Sequence, residues 1–168
     1  KPIPAFCNFG YFPNNRNKSN ICMKPTILHL DLDTFFVSCE RLLDSRLMKR
    51  PLLVGGLGDR GVVAACSYET RRFGVHSGMS MKVARRLCPE ATVIKGNAGT
   101  YMKFSDNVTE IIKESVPIFE KASVGEFYAD LSGMDRFFGC YKYASEMRQR
   151  ILRETGLPIS FGLSQNKV

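Results

Sequence analysis

Only two histidines, His29 and His76, occur among the 168 residues, and neither has a cysteine nearby to complete a metal site. The six cysteines (Cys7, Cys22, Cys39, Cys66, Cys88 and Cys140) are just as scattered, with no Cys-x-x-Cys pair. Zinc binding by cysteine and a disulfide framework are therefore not expected, and reduced thiols in a cytoplasmic protein are expected, several of them as small core residues. No apolar run approaches the roughly 18 residues that a membrane helix needs, so no membrane association is expected. There is no internal repeat and no low-complexity segment. Residues 1–22 lack the uninterrupted apolar core of a signal peptide, which removes any implication of secretion.

What remains is an ordinary globular composition, 44% apolar and 24% charged, enough to bury a core. Net charge is +8, with Lys and Arg recurring inside helical segments, and this suits a polyanionic partner as well as it suits a solvated basic face. Residues 1–24 mix Pro, Asn, Gly and basic residues without helical or strand period, and the first Met is Met23. They are expected to be a disordered or non-native leader. The other end stops at Val168 with neither cap nor polar tail, so the molecule is expected to be a fragment.

Chemistry concentrates in Ile27-Leu28-His29-Leu30-Asp31-Leu32-Asp33-Thr34-Phe35-Phe36. Alternation of apolar and polar residues gives way there to a helical repeat of Phe35, Phe36, Cys39, Leu42 and Leu43, so Asp31 and Asp33 fall where a strand meets a helix. Carboxylates at a strand end can hold a hard cation, and they can equally end a strand and cap a helix. Taken alone, the stretch leaves both readings open. His29 alternates within the strand and is expected to be a satisfied core or edge residue.

Further along, the pattern predicts strands at Pro51–Gly56 and Gly61–Cys66, turns of helix over Ser67–Gly74, and a short basic helix over Ser80–Leu87 with Lys82, Arg85 and Arg86. It then predicts a strand at Ala91–Lys95, an amphipathic helix over Gly99–Ser115 and a hairpin of Ile118–Val124 with Glu126–Leu131 about Gly125. A helix over Tyr141–Glu154 and a strand at Pro158–Leu163 close the chain. Two hairpins among alternating helices imply an α+β fold, with a mixed or antiparallel sheet and no double winding. Such a sheet can bring the ends of distant strands together, and Asp31 and Glu126 are expected to be neighbours. Two carboxylates so placed can hold a pair of Mg²⁺ ions bridging a triphosphate, with Arg71, Lys167 and the Tyr68 hydroxyl neutralising phosphate oxygens.

Four motifs in order carry a resemblance: Leu30-Asp31-Leu32-Asp33-Thr34-Phe35-Phe36, Ser67-Tyr68-Glu69-Thr70-Arg71-Arg72-Phe73-Gly74-Val75 with Gly78-Met79, Ser123-Val124-Gly125-Glu126-Phe127-Tyr128, and Phe161-Gly162-Leu163-Ser164-Gln165-Asn166-Lys167. From about Pro25 onward the chain resembles the Y-family translesion DNA polymerases, most closely the bacterial DNA polymerase IV branch. The resemblance implies a partial catalytic domain over residues 25–168, with a palm (25–38 and 97–168) and fingers (about 39–96), the thumb and little finger being absent. It implies two-metal nucleotidyl transfer from a dNTP to a primer 3′-OH. Asp31 and the backbone carbonyl of Leu32 would ligate Mg²⁺, and Glu126 would be the catalytic carboxylate. Phe36 would be the steric gate against ribonucleotides, beside Phe35, and Tyr68, Arg71 and Lys167 would contact the triphosphate. Asp33 has no ligand role in this reading and is expected to cap the following helix. The implied partners are primer–template DNA, dNTP and, for a full-length protein, a sliding clamp; a monomer is expected.

One position departs from the family pattern. Gly125 stands where the family keeps an aspartate ligand, leaving one carboxylate fewer facing the cations, so activity is expected to be impaired and a catalytically dead DNA-binding fragment is an alternative. A second alternative comes from Asp31-Leu32-Asp33-Thr34, which matches the Asp-x-Asp-x-Thr of Asp-nucleophile phosphatases. That chemistry requires a doubly wound parallel sheet.

Overall fold

The computed structural model describes residues 26–134 and 139–167, so the expected leader lies outside the described residues. Strand β1 (Ile27–Leu32) alternates as its sequence does, with Leu28, Leu30 and Leu32 buried on one face and His29 and Asp31 on the other. A turn through Thr34, whose φ of 44° is left-handed, leads into α1 (Phe35–Leu43). Thr34 is the N-cap residue, and its side chain makes no capping bond. The expectation that Asp33 caps this helix is therefore corrected. The left-handed turn sets Asp33 apart from the helix start, and its Oδ1 instead accepts a 2.8 Å hydrogen bond from Ser160 Oγ.

A 3₁₀ turn (Ser45–Leu47) precedes β2 (Leu52–Gly55) and β3 (Val63–Cys66), which pair antiparallel as the expected hairpin. Two short helices follow, α2 (Tyr68–Arg71) and α3 (Met81–Leu87), each opened by a serine, Ser67 and Ser80, whose hydroxyl accepts from the N–H three residues on. β4 (Thr92–Ile94) pairs parallel with β2, giving a mixed three-stranded sheet in the order β3-β2-β4. α4 (Ala98–Ser115) starts at the Asn97 cap. β5 (Phe119–Lys121) and β6 (Glu126–Asp130) form the second hairpin, then α5 (Cys140–Thr155) and β7 (Ile159–Ser164) follow. β5 is shorter than the pattern suggested because the N–H groups of Ala122 and Ser123 both turn onto the Glu126 carbonyl.

The second sheet runs β5-β6-β1-β7, antiparallel at every pairing. That topology removes the phosphatase alternative, which needs a parallel sheet. α1, α4 and α5 share one core with the apolar residues of this sheet, among them Leu28, Leu30, Phe127, Ile112, Ile151 and Ile159. A smaller cluster of Leu53, Val63, Met81 and Ala84 lies with the three-stranded sheet and α3. α1 packs on β2 and β3 as well as on α4, so it is the joint between the two parts.

Cys39, Cys66, Cys88 and Cys140 are buried, as their apolar settings suggest. Burial, and secondarily the charge of Glu40, pushes the Cys39 thiol up to about 12, so it is inert as a nucleophile. His29 departs from expectation. Its ring stacks on Tyr128 at 4.6 Å, but Nε2 is buried with no hydrogen-bond partner among the described residues, so the residue is packed without being satisfied there.

Candidate active site

Pairing of β1 with β6 places Asp31 directly across from Glu126, on the face that the core leaves open. Like charges in directly opposed positions of an antiparallel pair are unfavourable, and positive charge placed between them would relieve the repulsion. Partial desolvation first, then the negative charges of Glu126 and Asp33, raise the Asp31 carboxyl above its ordinary value, while His29 works weakly against them. On β7, Ser160 lies opposite Asp31 and holds the Asp33 carboxylate. Among the described residues, no three His, Cys, Asp or Glu side chains converge to hold a metal ion. Asp31 and Glu126 are thus a two-carboxylate pair.

Gly125 sits immediately beside this pair. Its carbonyl accepts from Leu32 N–H at 2.9 Å, which docks the turn onto the end of β1. A Cβ built on Gly125 would meet Phe35 Cβ at 3.7 Å and Leu32 Cβ at 3.8 Å, ordinary contacts. Neither space nor backbone conformation demands glycine here.

Phe35 and Phe36 open α1 beside the pair. Phe35 is buried, as core periodicity suggests, whereas Phe36 is only partly covered and packs against the core from outside. Phe36 stacks on Tyr101 of α4 at 4.6 Å and 21°, and the Tyr101 hydroxyl donates to Glu40 at 2.6 Å. Burial, together with this bond to a carboxylate, raises the Tyr101 phenol, which stays protonated as a donor. Tyr101 and Glu40 were not singled out from the sequence, where Tyr101 reads as one more residue on the apolar side of α4. The available signal was a hydroxyl on that face, needing a buried partner.

Tyr68 and Arg71 occupy α2, and the Arg71 guanidinium lies 5.1 Å from the centre of the Tyr68 ring. Tyr68 is 53% exposed despite its size, so the pair is presented to solvent. Lys167 follows β7. Its ammonium contacts Glu120 at 2.5 Å and lies 4.6 Å from the ring centre of Tyr128, the residue two along β6 from Glu126.

Residues 30–168 match the impB/mucB/samB family. The chain belongs to that family. Members of the Y-family DNA polymerases are its relatives both in sequence and in structure. DNA polymerase IV of Treponema denticola is 41% identical over 140 residues, covering 83% of this chain and 35% of the relative. DNA polymerase IV of Streptomyces coelicolor is 43% identical over 147 residues, covering 86% of this chain and 31% of the relative. Among solved structures, DinB from Sulfolobus solfataricus superposes with a TM-score of 0.80 at 27% identity, over 85% of this chain and 43% of that one. The insertion ternary complex of Dbh DNA polymerase gives the same TM-score and coverage. This Y-family chain therefore spans about a third of the length of the curated relatives it matches. Its fold is the palm-and-fingers arrangement of those polymerases.

Proposed function

We propose that this chain supplies the palm and fingers of a DNA-directed DNA polymerase for translesion synthesis and repair, with a metal site weakened at Gly125. The palm would comprise residues 25–38 and 97–168, which include the four-stranded sheet, and the fingers residues 39–96, which include the three-stranded one. The observation that carries the reading is the opposition of Asp31 and Glu126 across β1 and β6 within a Y-family chain.

The donor set fits a divalent cation. Asp31, Glu126 and the Leu32 carbonyl would hold it, since hard cations take oxygen ligands and an uncompensated carboxylate pair calls for positive charge. Mg²⁺ in such a site supplies charge neutralisation at phosphate oxygens and at the attacking hydroxyl. Of the two ions the family resemblance implies, the second is the poorly supplied one, because Gly125 contributes no side-chain oxygen and Asp33 is engaged by Ser160. The remaining work falls to this chain's own groups. Arg71 and Tyr68 would grip the triphosphate and Lys167 would add a further positive charge, released from Glu120. Phe36, braced by Tyr101, would press on the sugar and disfavour a ribose 2′-OH, with Phe35 packed behind it.

Partners on this reading are dNTP and primer–template DNA, with a sliding clamp for a longer protein, and the chain works as a monomer in the cytoplasm. A second reading, a DNA-binding unit without catalysis, is favoured by Gly125 alone. Primer extension separates the two when this chain is joined to the remaining domains of the Treponema denticola relative, with and without Gly125→Asp. The aspartate should accelerate extension by at least about tenfold, the scale on which ligand-shell changes act. Equal rates would remove the claim that Gly125 limits the site, and a chimera that neither extends primers nor binds dATP with Mg²⁺ would remove the polymerase reading.

A further inference from the structure

α2 is four residues long, too short to keep helical shape by itself in water, and it carries both Tyr68 and Arg71. Its front is fixed to β2. Ser67 Oγ accepts from Thr70 N–H at 3.4 Å and from Leu52 N–H at 3.1 Å, and Thr70 Oγ1 donates to the Ser67 carbonyl at 2.8 Å, all of them buried. These bonds tie α2 to its own sheet and leave open how it stands relative to the carboxylate pair on the other one.

Packing of α1 on β2 and β3 sets the two sheets against each other, and one guanidinium adds a direct polar link from α1 to α2. Arg41, on α1, donates from Nη2 to Glu69 Oε2 at 2.8 Å, and Glu69 lies on α2 between Tyr68 and Arg71. The same Nη2 donates to the Arg50 carbonyl at 2.9 Å, and Nε donates to the Leu47 carbonyl at 3.3 Å. Arg41 is only 17% exposed and Glu69 27%, so neither is a loose surface charge. One planar cation joins α1, the segment leading into β2, and α2, a combination of acceptors that a lysine ammonium cannot reproduce. α1 itself begins two residues after Asp33 and carries Phe36.

We propose that Arg41 is a positioning residue for the nucleotide triphosphate, setting through Glu69 where Tyr68 and Arg71 stand relative to Asp31 and Glu126. It touches no substrate on this account, and it rests on the dNTP-binding reading given above. Replacing both partners of such an ion pair costs little, whereas removing one leaves the other charge unpaired, so the double variant is the reference for structural cost.

The test uses this chain with a fluorescent dATP analogue and Mg²⁺, competed with dATP and with dAMP. Arg41→Met and Glu69→Gln should each weaken dATP binding about tenfold and leave dAMP unchanged, because displacing α2 spoils only the contacts to the outer phosphates. The double variant should bind no worse than Arg41→Met, as expected for two residues acting through one contact. Amide exchange over residues 68–74 should quicken in all three. Parental dATP affinity in Glu69→Gln, which keeps the side chain's shape should Arg41→Met fail to fold, overturns the proposal. An equal loss for dATP and dAMP overturns it too, since that marks a general structural defect. A parent chain that does not prefer dATP over dAMP refutes the nucleotide-binding reading itself, and the proposal falls with it.

Discussion

Asp31 faces two opposed demands, because the strand pairing that aligns it with Glu126 also sets two negative charges against each other. Removing one charge should therefore stabilise the metal-free chain. Asp31→Asn is expected to raise its stability by about 0.5 kcal/mol, the scale of a cross-strand charge pair, measured by thermal melting with chelator present. Added Mn²⁺ should raise the melting temperature of the parent and not that of the variant, because only the parent keeps both carboxylates. Glu69 titrates in the opposite sense. Burial alone would raise its carboxyl, but its own backbone N–H, the Ser67 hydroxyl and the Arg41 guanidinium together hold it below the usual carboxylate value. A depressed folded-state pKa contributes stability that is complete above the unfolded value and is lost as pH falls through the folded one. The parent should therefore lose melting temperature across that acid window faster than Glu69→Gln, which cannot titrate there.

Among the elements, the short helices and the helix ends depend on single side chains. Ser67→Ala strips the acceptor from two buried N–H groups, Leu52 and Thr70, and should cost about 2 kcal/mol in urea unfolding, a lost cap plus an unsatisfied donor. Gly156 ends α5 at φ 73°, and a Cβ there would lie 2.8 Å from Leu42 Cδ2. Gly156→Ala combines left-handed strain with a clash and should destabilise by at least about 1 kcal/mol. Most of these ends were legible, because Ser67, Ser80 and Gly156 are residues whose chemistry makes caps. The start of α1 was not. Asp33 is the better capping residue by type, yet Ser160, remote in sequence, claims its carboxylate.

For the molecule as a whole, two sheets meet across α1 in a core that also takes in Leu52 and Val54 of the three-stranded sheet, and the basic residues spread over both parts. No helix among the described residues is long and apolar enough to cross a membrane. Lys82 and Arg86 stand exposed on α3, whereas Arg85 is drawn back to the Leu57 carbonyl and to Asp59. If the basic surface meets DNA phosphates, the logarithm of duplex affinity should fall linearly with that of salt concentration, with a slope of about −0.9 per phosphate contacted. Lys82→Ala with Arg86→Ala should flatten that slope by one to two contacts' worth, about 1–2 units. An unchanged slope would return α3 to the role of a solvated face.

The amino-acid pattern by itself determined which elements hold the candidate residues, because strand alternation, helical period and capping chemistry are local. It placed Asp31 at a strand end, Glu126 just past a hairpin turn, and Tyr68 with Arg71 on a helix of one turn. Only the tertiary structure decided what those groups meet. The register of β1 against β6 set Asp31 across from Glu126, the β7 pairing took Asp33 out of its expected cap, and Arg41 reached across to Glu69. Each is a contact between residues far apart in the chain, selected by how the apolar faces of helices and sheets pack, and that selection depends on all the elements at once.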